Sequence, residues 1–280
     1  MAKYYVSPHL LDTIDKKRPD YADPEHDGNL PDDFKKELNN RLTYHPDGIL
    51  KKVGECKEIR FDAHNRPVNP LPSYKTHDGR GDLGKWGAQH AADPVAFKFE
   101  NGQWYVLLVL RSDVNKWALP GGMVDPGENS TIAAARELRE EGADLPRDIL
   151  ETLMTKEGKV VYQGINASDP RNTRNAWIET SVVAFMLPDS ICRQMRLRPQ
   201  AGETLSSRWI NVNSNLSKLY SDHGAYVELA CQKLNIHRRT AWWAHIWPIA
   251  FLDTDMHFAE FMRFASASCL VFMLWLLWMA

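Results

Sequence analysis

Apolar and polar positions are distributed differently along the first third of the chain and along its middle. Residues 1–88 are polar and contain only short apolar runs, whereas longer apolar runs separated by turn residues follow. Residues 97–100 alternate apolar with charged positions, Asn101 and Gly102 are typical of a tight hairpin turn, and residues 104–110 (WYVLLVL) are continuously apolar. This pattern predicts a β-hairpin with a buried second strand.

Further strands and a first helix are predicted in the segment that follows the hairpin. Residues 160–162 and 177–186 are rich in β-branched and aromatic residues, as strands are. Residues 129–131 (NST) supply N-cap side chains for a helix that continues to about Glu141. Gly142 suits the left-handed residue that often ends a helix.

A second helix is predicted over residues 222–235, because Val227, Ala230, Cys231 and Leu234 fall on one stripe of a helix there. No internal repeat is visible. Strands mixed with two helices predict an α/β (α+β) fold, a sandwich in which helices pack on a sheet.

Changes in composition predict three parts of the chain. Residues 1–88 are expected to form an N-terminal accessory or cap region, which ends in a glycine- and proline-punctuated connection over residues 65–88. Residues 89–238 are expected to form the main domain. Residues 239–280 form a Trp-rich hydrophobic tail.

The tail leaves three interpretations open. Residues 264–280 carry no charge, and seventeen uncharged residues lie at the low edge of what spans a bilayer. The segment is expected either to be a helix docked on the domain or to be a tail anchor with Trp242, Trp243 and Trp247 near the membrane interface. The third interpretation is a terminus that contributes nothing to function.

Overall composition is that of a soluble globular protein. Charged residues make up 25% of the chain and the formal net charge is −2, so no nucleic-acid partner is expected. Four widely spaced cysteines without metal-ligand spacing suggest a reducing compartment. The N-terminus has no apolar signal region and carries early acidic residues, so we expect an intracellular, cytoplasmic protein without a mitochondrial presequence.

The residues with chemical potential lie in the predicted first helix and the loop before it. The loop GGMVDPGE ends at Glu128, and Glu137, Glu140 and Glu141 follow within roughly 100° of one helical face. Like charges on one face repel, so either nearby arginines neutralise an ordinary solvated helix or the carboxylates hold a divalent cation. Mg²⁺ prefers carboxylate and phosphate oxygens, and the glycines let the backbone approach a ligand closely.

The spacing of the whole stretch favours the metal-binding interpretation. Gly122 is followed by five residues and Glu128, and after seven more residues by Arg136-Glu137-Leu138, one residue, and Glu140-Glu141. This resembles the Nudix hydrolase signature. The resemblance implies an αβα sandwich with a mixed sheet and a Mg²⁺ (or Mn²⁺) site. Its catalytic residues and metal ligands would be Glu137, Glu140 and Glu141, and its loop would be fixed by Glu128 and Arg136.

The sequence departs from this signature at residues 142–144 (GAD), where the family usually has any residue, Gly and then an apolar residue. This difference affects the exit of the helix rather than its acidic side chains. We therefore expect activity to survive.

A second segment bears on the substrate. Residues 169–177 (DPRNTRNAW) are densely polar just before a predicted strand, which is typical either of a hydrogen-bonded turn or of a ligand site. Arg171 and Asn175 are candidates for contacts with phosphate and ribose. Gly121 and Gly122 are candidates for close approach of the backbone to a diphosphate.

Together with residues 79–87, 90–93, 117–122 and 219–223, this segment resembles the ADP-ribose pyrophosphatase branch of the Nudix family, over roughly residues 65–235. It also resembles the related C-terminal domain of a melastatin-type cation channel. The resemblance implies that ADP-ribose is bound by Asp169, Arg171, Tyr220 and Asp222. On position alone, Tyr220 would more simply be a core residue. Arg174 stands where relatives commonly carry Asp, a reversed charge expected to shift affinity or substrate preference.

The expected activity is Mg²⁺-dependent hydrolysis of ADP-ribose to AMP and ribose 5-phosphate. One alternative is an ADP-ribose-sensing module without catalysis, as in the channel domain. Another is a pyrophosphatase for a different nucleoside diphosphate, such as a nucleotide sugar or NADH. The intact acidic motif favours an enzyme over a sensor.

Overall fold

A computed structural model describes residues 7, 10–11, 16–25, 29–40, 59–71 and 77–237 of the chain. The predicted Trp-rich tail, residues 239–280, lies outside these described residues, so the three interpretations of that tail stay predictions. Within the described ranges, no helix combines the length and the hydropathy needed to cross a bilayer.

The described elements comprise short N-terminal pieces followed by a dense alternation of strands and helices. In chain order they are α1 (Asp32–Asn40), β1 (Arg60–Phe61), β2 (Pro67–Val68), β3 (Gly87–Glu100), β4 (Gln103–Arg111), β5 (Trp117–Ala118), β6 (Gly122–Met123), α2 (Ser130–Glu137), a π-helical turn (Leu138–Gly142), β7 (Ala143–Asp144), α3 (Arg147–Thr152), a second π-helical turn (Leu153–Glu157), β8 (Lys159–Ile165), β9 (Ala176–Leu187), α4 (Asp189–Cys192), β10 (Arg196–Leu197), β11 (Thr204–Asn211) and α5 (His223–Lys233).

The centre of the molecule is a mixed sheet of seven strands, counted over the described residues. Its main path is β11-β4-β3-β9-β8, while β5 pairs with β4 and β6 pairs with β3. β3 and β9 run parallel over twelve paired positions, from Gly87 opposite Ala176 to Lys98 opposite Leu187. The other pairs in this sheet are antiparallel. The long parallel pair forms the middle of the sheet, and the short strand β6 extends from it into the glycine loop.

Helices cover both faces of this sheet, so the predicted αβα sandwich is confirmed. On one face, the alanines of α2 and Leu138 pack against Leu107, Val183 and Phe185. On the other face, buried residues of α5 pack against the strands, among them Tyr226, Val227, Ala230 and Cys231. The core is therefore two apolar layers separated by the sheet.

The predicted hairpin is confirmed in detail. Asn101 and Gly102 both have positive φ, 50° and 75°, and they connect β3 to β4. Two successive positive φ values match the right-handed twist of the flanking strands, which is why Asn-Gly suits this position. Residues 106–109 of β4 are buried, as expected for a strand in the middle of the sheet.

The first predicted helix is present, but it ends differently from the prediction. The Asn129 side chain accepts a hydrogen bond from the Ile132 N–H at 2.9 Å and caps α2. The α-helix stops at Glu137 and continues as a π-helical turn through Gly142. Gly142 is not left-handed, so that prediction was wrong. A Cβ at Gly142 would lie 2.9 Å from Leu107 Cδ2, so this glycine allows the turn to pack closely on the sheet.

Ser7 and Asp23, near the N-terminus, donate backbone hydrogen bonds to the carbonyl oxygens of Gly81 and Gly84 in the loop between β2 and β3. Arg80 is fully buried, and its Nη1 donates to the carbonyl oxygens of Asp23 and Gly84. Its guanidinium lies 5.5 Å from the ring centre of Trp86, whose backbone N–H donates to the Asp23 carboxylate. Arg80 thus ties Asp23 and Glu25 to the loop before β3 through its hydrogen bonds.

Replacing Gly224 tests whether close packing against the preceding loop holds the start of α5 in place. A Cβ at this position would lie 2.3 Å from the carbonyl oxygen of Leu216, which is backbone and cannot rotate away. We expect Gly224→Ala to lower the free energy of unfolding by about 2 kcal/mol, measured by urea denaturation. Ala225→Ser, one residue later and exposed, should change it by less than about 0.5 kcal/mol. Equal stability of the two variants would contradict this prediction and show that the Leu216 backbone can move away at little cost.

Candidate active site

A cavity of about 300 Å³ opens where the glycine loop meets the carboxyl end of α2. Its walls come from β3, β4, β6, the π-helical turn, the loop after β8, the turn before β11 and the start of α5. The polar lining residues include Asp93, Arg111, Asp113, Glu141, Asn166, Asp169, Arg171, Glu203, Tyr220 and His223. A cavity of this size with converging polar groups is typical of a small-molecule site.

The three glutamates of the predicted metal site do not share one environment. Glu137 and Glu141 are buried, with 7% and 6% of their surface exposed, whereas the Glu140 side chain is 41% exposed. The π-helical turn widens the helix between Glu137 and Glu141, so the angles of a regular α-helix do not hold there. The structure thus separates a buried pair of carboxylates from a third at the surface.

The glycine loop contacts both buried carboxylates. The backbone N–H of Gly121 donates to Glu141 Oε2 at 2.9 Å. A Cβ at Gly122 would lie 2.4 Å from Glu137 Oε1, so only glycine leaves room for this carboxylate. The two glycines therefore make room for, or donate to, the carboxylates of the helix. That they also let a ligand approach the backbone closely stays a prediction.

Arg136 joins the loop to the helix. Its Nε and Nη2 donate to the two carboxylate oxygens of Glu128, each at 2.9 Å. Its Nη1 donates to Glu137 Oε1 at 2.7 Å and to Glu140 Oε2 at 3.1 Å. The roles expected of Glu128 and Arg136, fixing the loop against the helix, are consistent with these bonds.

Burial shifts the protonation of the two inner carboxylates. It raises the pKa of Glu137 to about 7, although the neighbouring Arg136 guanidinium opposes the shift. It raises the pKa of Glu141 to about 8, against the hydrogen bond from Gly121. The negative charge of Glu203, which also lines the cavity, raises both pKa values further. A cation placed beside these groups would favour their charged forms.

The available donors suit a hard divalent cation. Carboxylate oxygens are the ligands that Mg²⁺ prefers, and Glu137 and Glu141 supply two of them in a sparsely hydrated place. In the part of the chain that the structure describes, no three acidic, histidine or cysteine side chains converge on one point. Arg136 engages Glu137 and Glu140, while Gly121 engages Glu141. That these three glutamates bind the metal stays a prediction.

A second polar group lies across the cavity. Arg171 and Asp169 form a two-point ion pair, with nitrogen–oxygen distances of 2.9 and 2.8 Å. The Asp169 side chain is 1% exposed while that of Arg171 is 36% exposed, so the arginine faces the cavity on a buried carboxylate support. Tyr220 lies beside them, with the Arg111 guanidinium 4.8 Å from its ring centre. Five of the predicted binding residues line this one cavity: Gly121, Gly122, Asp169, Arg171 and Tyr220.

Two other predicted binding residues have protein partners instead. Asn175 is fully buried, accepts from the Gly79 N–H and donates to the Pro67 carbonyl oxygen, both at 2.8 Å. Asp222 accepts from the backbone and hydroxyl of Ser168 at 3.0 and 2.5 Å. Neither lines the cavity. The structure supports positioning roles: Asn175 holds the accessory loops, and Asp222 holds the segment that carries Asp169.

The reversed charge at Arg174 also lies away from the cavity lining. Its side chain is 62% exposed and pairs with Asp78 at 3.2 Å. Arg174 therefore joins the 77–80 loop to the segment before β9. Because the Arg174 side chain does not line the cavity, any effect of it on ligand affinity would have to be indirect.

Several lining residues were not singled out as site residues by sequence reasoning. Arg111 and Asp113 form a two-point ion pair at the end of β4, and Glu203 comes from the turn before β11. Asp93 and His223 lie within stretches that resemble the ADP-ribose pyrophosphatase branch, which was the one available signal for them. Their chemistry depends on long-range packing, which no short motif encodes.

The structure thus combines a sandwich fold with a loop–helix unit that carries a glycine loop and two buried carboxylates. A family model described as NUDIX domain matches residues 89–230, which is half of the chain. The chain belongs to the Nudix family.

Among its relatives, putative nudix hydrolase 6 of Caenorhabditis elegans is 37% identical over 221 residues, which cover 75% of this chain and 82% of that protein. The mitochondrial ADP-ribose pyrophosphatase of Rattus norvegicus is 34% identical over 200 residues, 62% of this chain and 56% of that protein. A transient receptor potential cation channel, subfamily M member-like 2, of Nematostella vectensis is 34% identical over 183 residues, 58% of this chain and 12% of the channel. The similarity therefore spans about half of the rat enzyme and a small part of the channel.

Replacing Gly122 tests whether the loop acts through Glu137. We expect Gly122→Ala to displace the Glu137 carboxylate and lower pyrophosphohydrolase activity about a hundredfold, because small misplacements of a reacting group are costly. The control is Gly102→Ala in the distant hairpin, where φ is positive and nothing lies within 4 Å. That variant should lose about 1 kcal/mol of stability and keep its activity. Full activity in Gly122→Ala would contradict this role.

Proposed function

We propose that the protein hydrolyses ADP-ribose to AMP and ribose 5-phosphate with the help of Mg²⁺ or Mn²⁺. The observation that carries the proposal is the shared cavity: it is lined both by Glu141, which the glycine loop contacts, and by Arg171, which Asp169 holds in place. A reactive carboxylate and a phosphate-binding guanidinium facing one space suit cleavage of a diphosphate.

In this proposal, Glu137, Glu140 and Glu141 hold the metal. When bound, a divalent cation neutralises the diphosphate, polarises a phosphoryl oxygen and lowers the pKa of water. Water adds to one phosphorus, the bridging P–O bond breaks, and the proton of the water leaves to a carboxylate. Glu141 suits the role of proton acceptor because its carboxylate lines the cavity and is held in place by the Gly121 N–H.

The chain's own cations orient the substrate. Arg171 and Arg111 are each held in a fixed plane by an aspartate, so little side-chain freedom is lost when they bind phosphate oxygens. Tyr220 supplies an aromatic surface beside Arg111 for a base or a ribose. The name of the rat relative, an ADP-ribose pyrophosphatase, supports this choice of substrate.

Release of AMP is the direct test. The protein incubated with ADP-ribose and Mg²⁺ should form AMP and ribose 5-phosphate in equal amounts, detected by chromatography. EDTA should abolish the reaction, and added Mg²⁺ or Mn²⁺ should restore it. A folded sample that cleaves a nucleotide sugar or NADH with a higher kcat/KM would move the proposal to that substrate.

Substitution of Glu141 tests its effect on the rate of hydrolysis separately from its effect on ADP-ribose affinity. We expect Glu141→Gln to lower kcat by about 10²–10⁴-fold with a much smaller change in ADP-ribose affinity, because a general base acts in the transition state. The matched control is Glu151→Gln, an exposed residue of α3 paired with Arg147. Its kcat should remain that of the wild type. Equal loss in both variants would refute the assignment.

The alternative, an ADP-ribose sensor, draws support from the similarity to a cation channel. It predicts tight binding of ADP-ribose, measured by calorimetry, without release of AMP under any metal condition. The intact glutamate motif favours turnover.

A further inference from the structure

The loop between β8 and β9, which carries Arg171, is closed by an irregular hydrogen-bond pattern. The Asn166 N–H, just after β8, donates to the Ile178 carbonyl oxygen in β9 at 2.9 Å. In a regular antiparallel ladder the Ile178 N–H would donate back to the Asn166 carbonyl oxygen, so that the two residues exchange both bonds. Here the side chain of Asn172 makes the second connection instead.

The Asn172 amide lies between the two strands and takes the place of the missing bond. Its Oδ1 accepts from the Ile178 N–H at 2.8 Å, and its Nδ2 donates to the Asn166 carbonyl oxygen at 2.7 Å. All three residues are buried, Asn172 with 2% of its surface exposed. Only Asn and Gln carry a donor and an acceptor on one planar amide. Removal of this amide would leave the Ile178 N–H without its partner away from water, which is costly.

Asn172 is also the last residue of the turn that presents Arg171. Its backbone N–H donates to the Asp169 carbonyl oxygen at 3.1 Å and closes a four-residue turn. Asp in the first position and Pro170 in the second are typical of such turns. Arg171 occupies the third position, where its backbone N–H and Nε both donate to Asp169 Oδ1, at 3.0 and 2.9 Å. The turn that carries the guanidinium is thus fixed to the sheet by Asn172.

We propose that Asn172 is a positioning residue: by completing the ladder between β8 and β9, it sets the direction in which Arg171 enters the cavity. Arg171 lines the cavity and Asn172 does not, so Asn172 acts through its neighbour. Because the turn is already ordered, the arginine loses little conformational entropy when a ligand binds. The inference rests on the proposed function in one respect, that Arg171 binds a phosphate group of the ligand.

The first test needs no ligand. The Arg171 Nε–H, bonded to Asp169, should give an NMR signal that exchanges slowly with water. We expect Asn172→Ala to speed this exchange at least about tenfold, because the turn is released from the sheet. The matched control is Gln194→Ala, which removes an exposed amide that donates to the Ser190 carbonyl oxygen at 2.9 Å. Unchanged exchange in Asn172→Ala would overturn the proposal.

The second test determines whether Asn172 acts through Arg171. The affinity for ADP-ribose is measured by calorimetry in EDTA for Arg171→Gln, for Asn172→Ala and for the variant that carries both changes. We expect each single change to weaken binding about tenfold, and the second change to add less than about twofold to the first. Losses that multiply would contradict the proposal, since a merely structural residue would weaken binding independently of the guanidinium.

Failure of the proposed function gives a different result from failure of this inference. If the wild-type protein binds no ADP-ribose, that ligand is wrong, and the exchange rate of the Arg171 Nε–H still decides the role of Asn172. If Asn172→Ala unfolds, Asn172→Asp is the second variant, since an ionised carboxylate accepts from the Ile178 N–H but cannot donate to Asn166. It should also speed the exchange, and a wild-type rate in this variant would overturn the proposal.

Discussion

The loop–helix unit depends on the hydrogen bonds of the Arg136 guanidinium. The guanidinium bonds to Glu128 from the loop and to Glu137 and Glu140 from the helix, and its Nη2 also donates to the Met123 carbonyl oxygen at 3.0 Å. Without this cation, several carboxylates would face one another where water is scarce. One residue thus fixes the loop geometry, the end of α2 and the spacing of the acidic groups.

The long elements and the motif were predictable from sequence because their causes are local. Asn101 and Gly102 specify a turn by their tolerance of positive φ, and Asn129 caps α2 through its own side chain. The spacing from Gly122 to Glu141 identified the loop–helix unit. Each of these features depends on residues within one continuous stretch of the sequence.

The rest of the site could not be read from local pattern, because packing decides it. The sequence predicts a left-handed residue at Gly142, yet the helix ends there as a π-helical turn that packs closely against Leu107. The Asn175 amide could bind a ligand, but it is already hydrogen-bonded to the backbone of Gly79 and Pro67. Glu203 and Arg111 enter the cavity only because the sheet places β4 next to β11. Such contacts join residues far apart in the chain.

The central pairing of β3 with β9 has a consequence for how the protein is made. Gly87 lies opposite Ala176, so the two middle strands can pair only after the hairpin, the glycine loop and α2 have all been synthesised between them. Non-local pairing of this kind is slow to form because a long loop must close first. During synthesis on the ribosome, the growing chain therefore carries its acidic helix before it has the sheet on which that helix packs, and the cavity is among the last features to be completed.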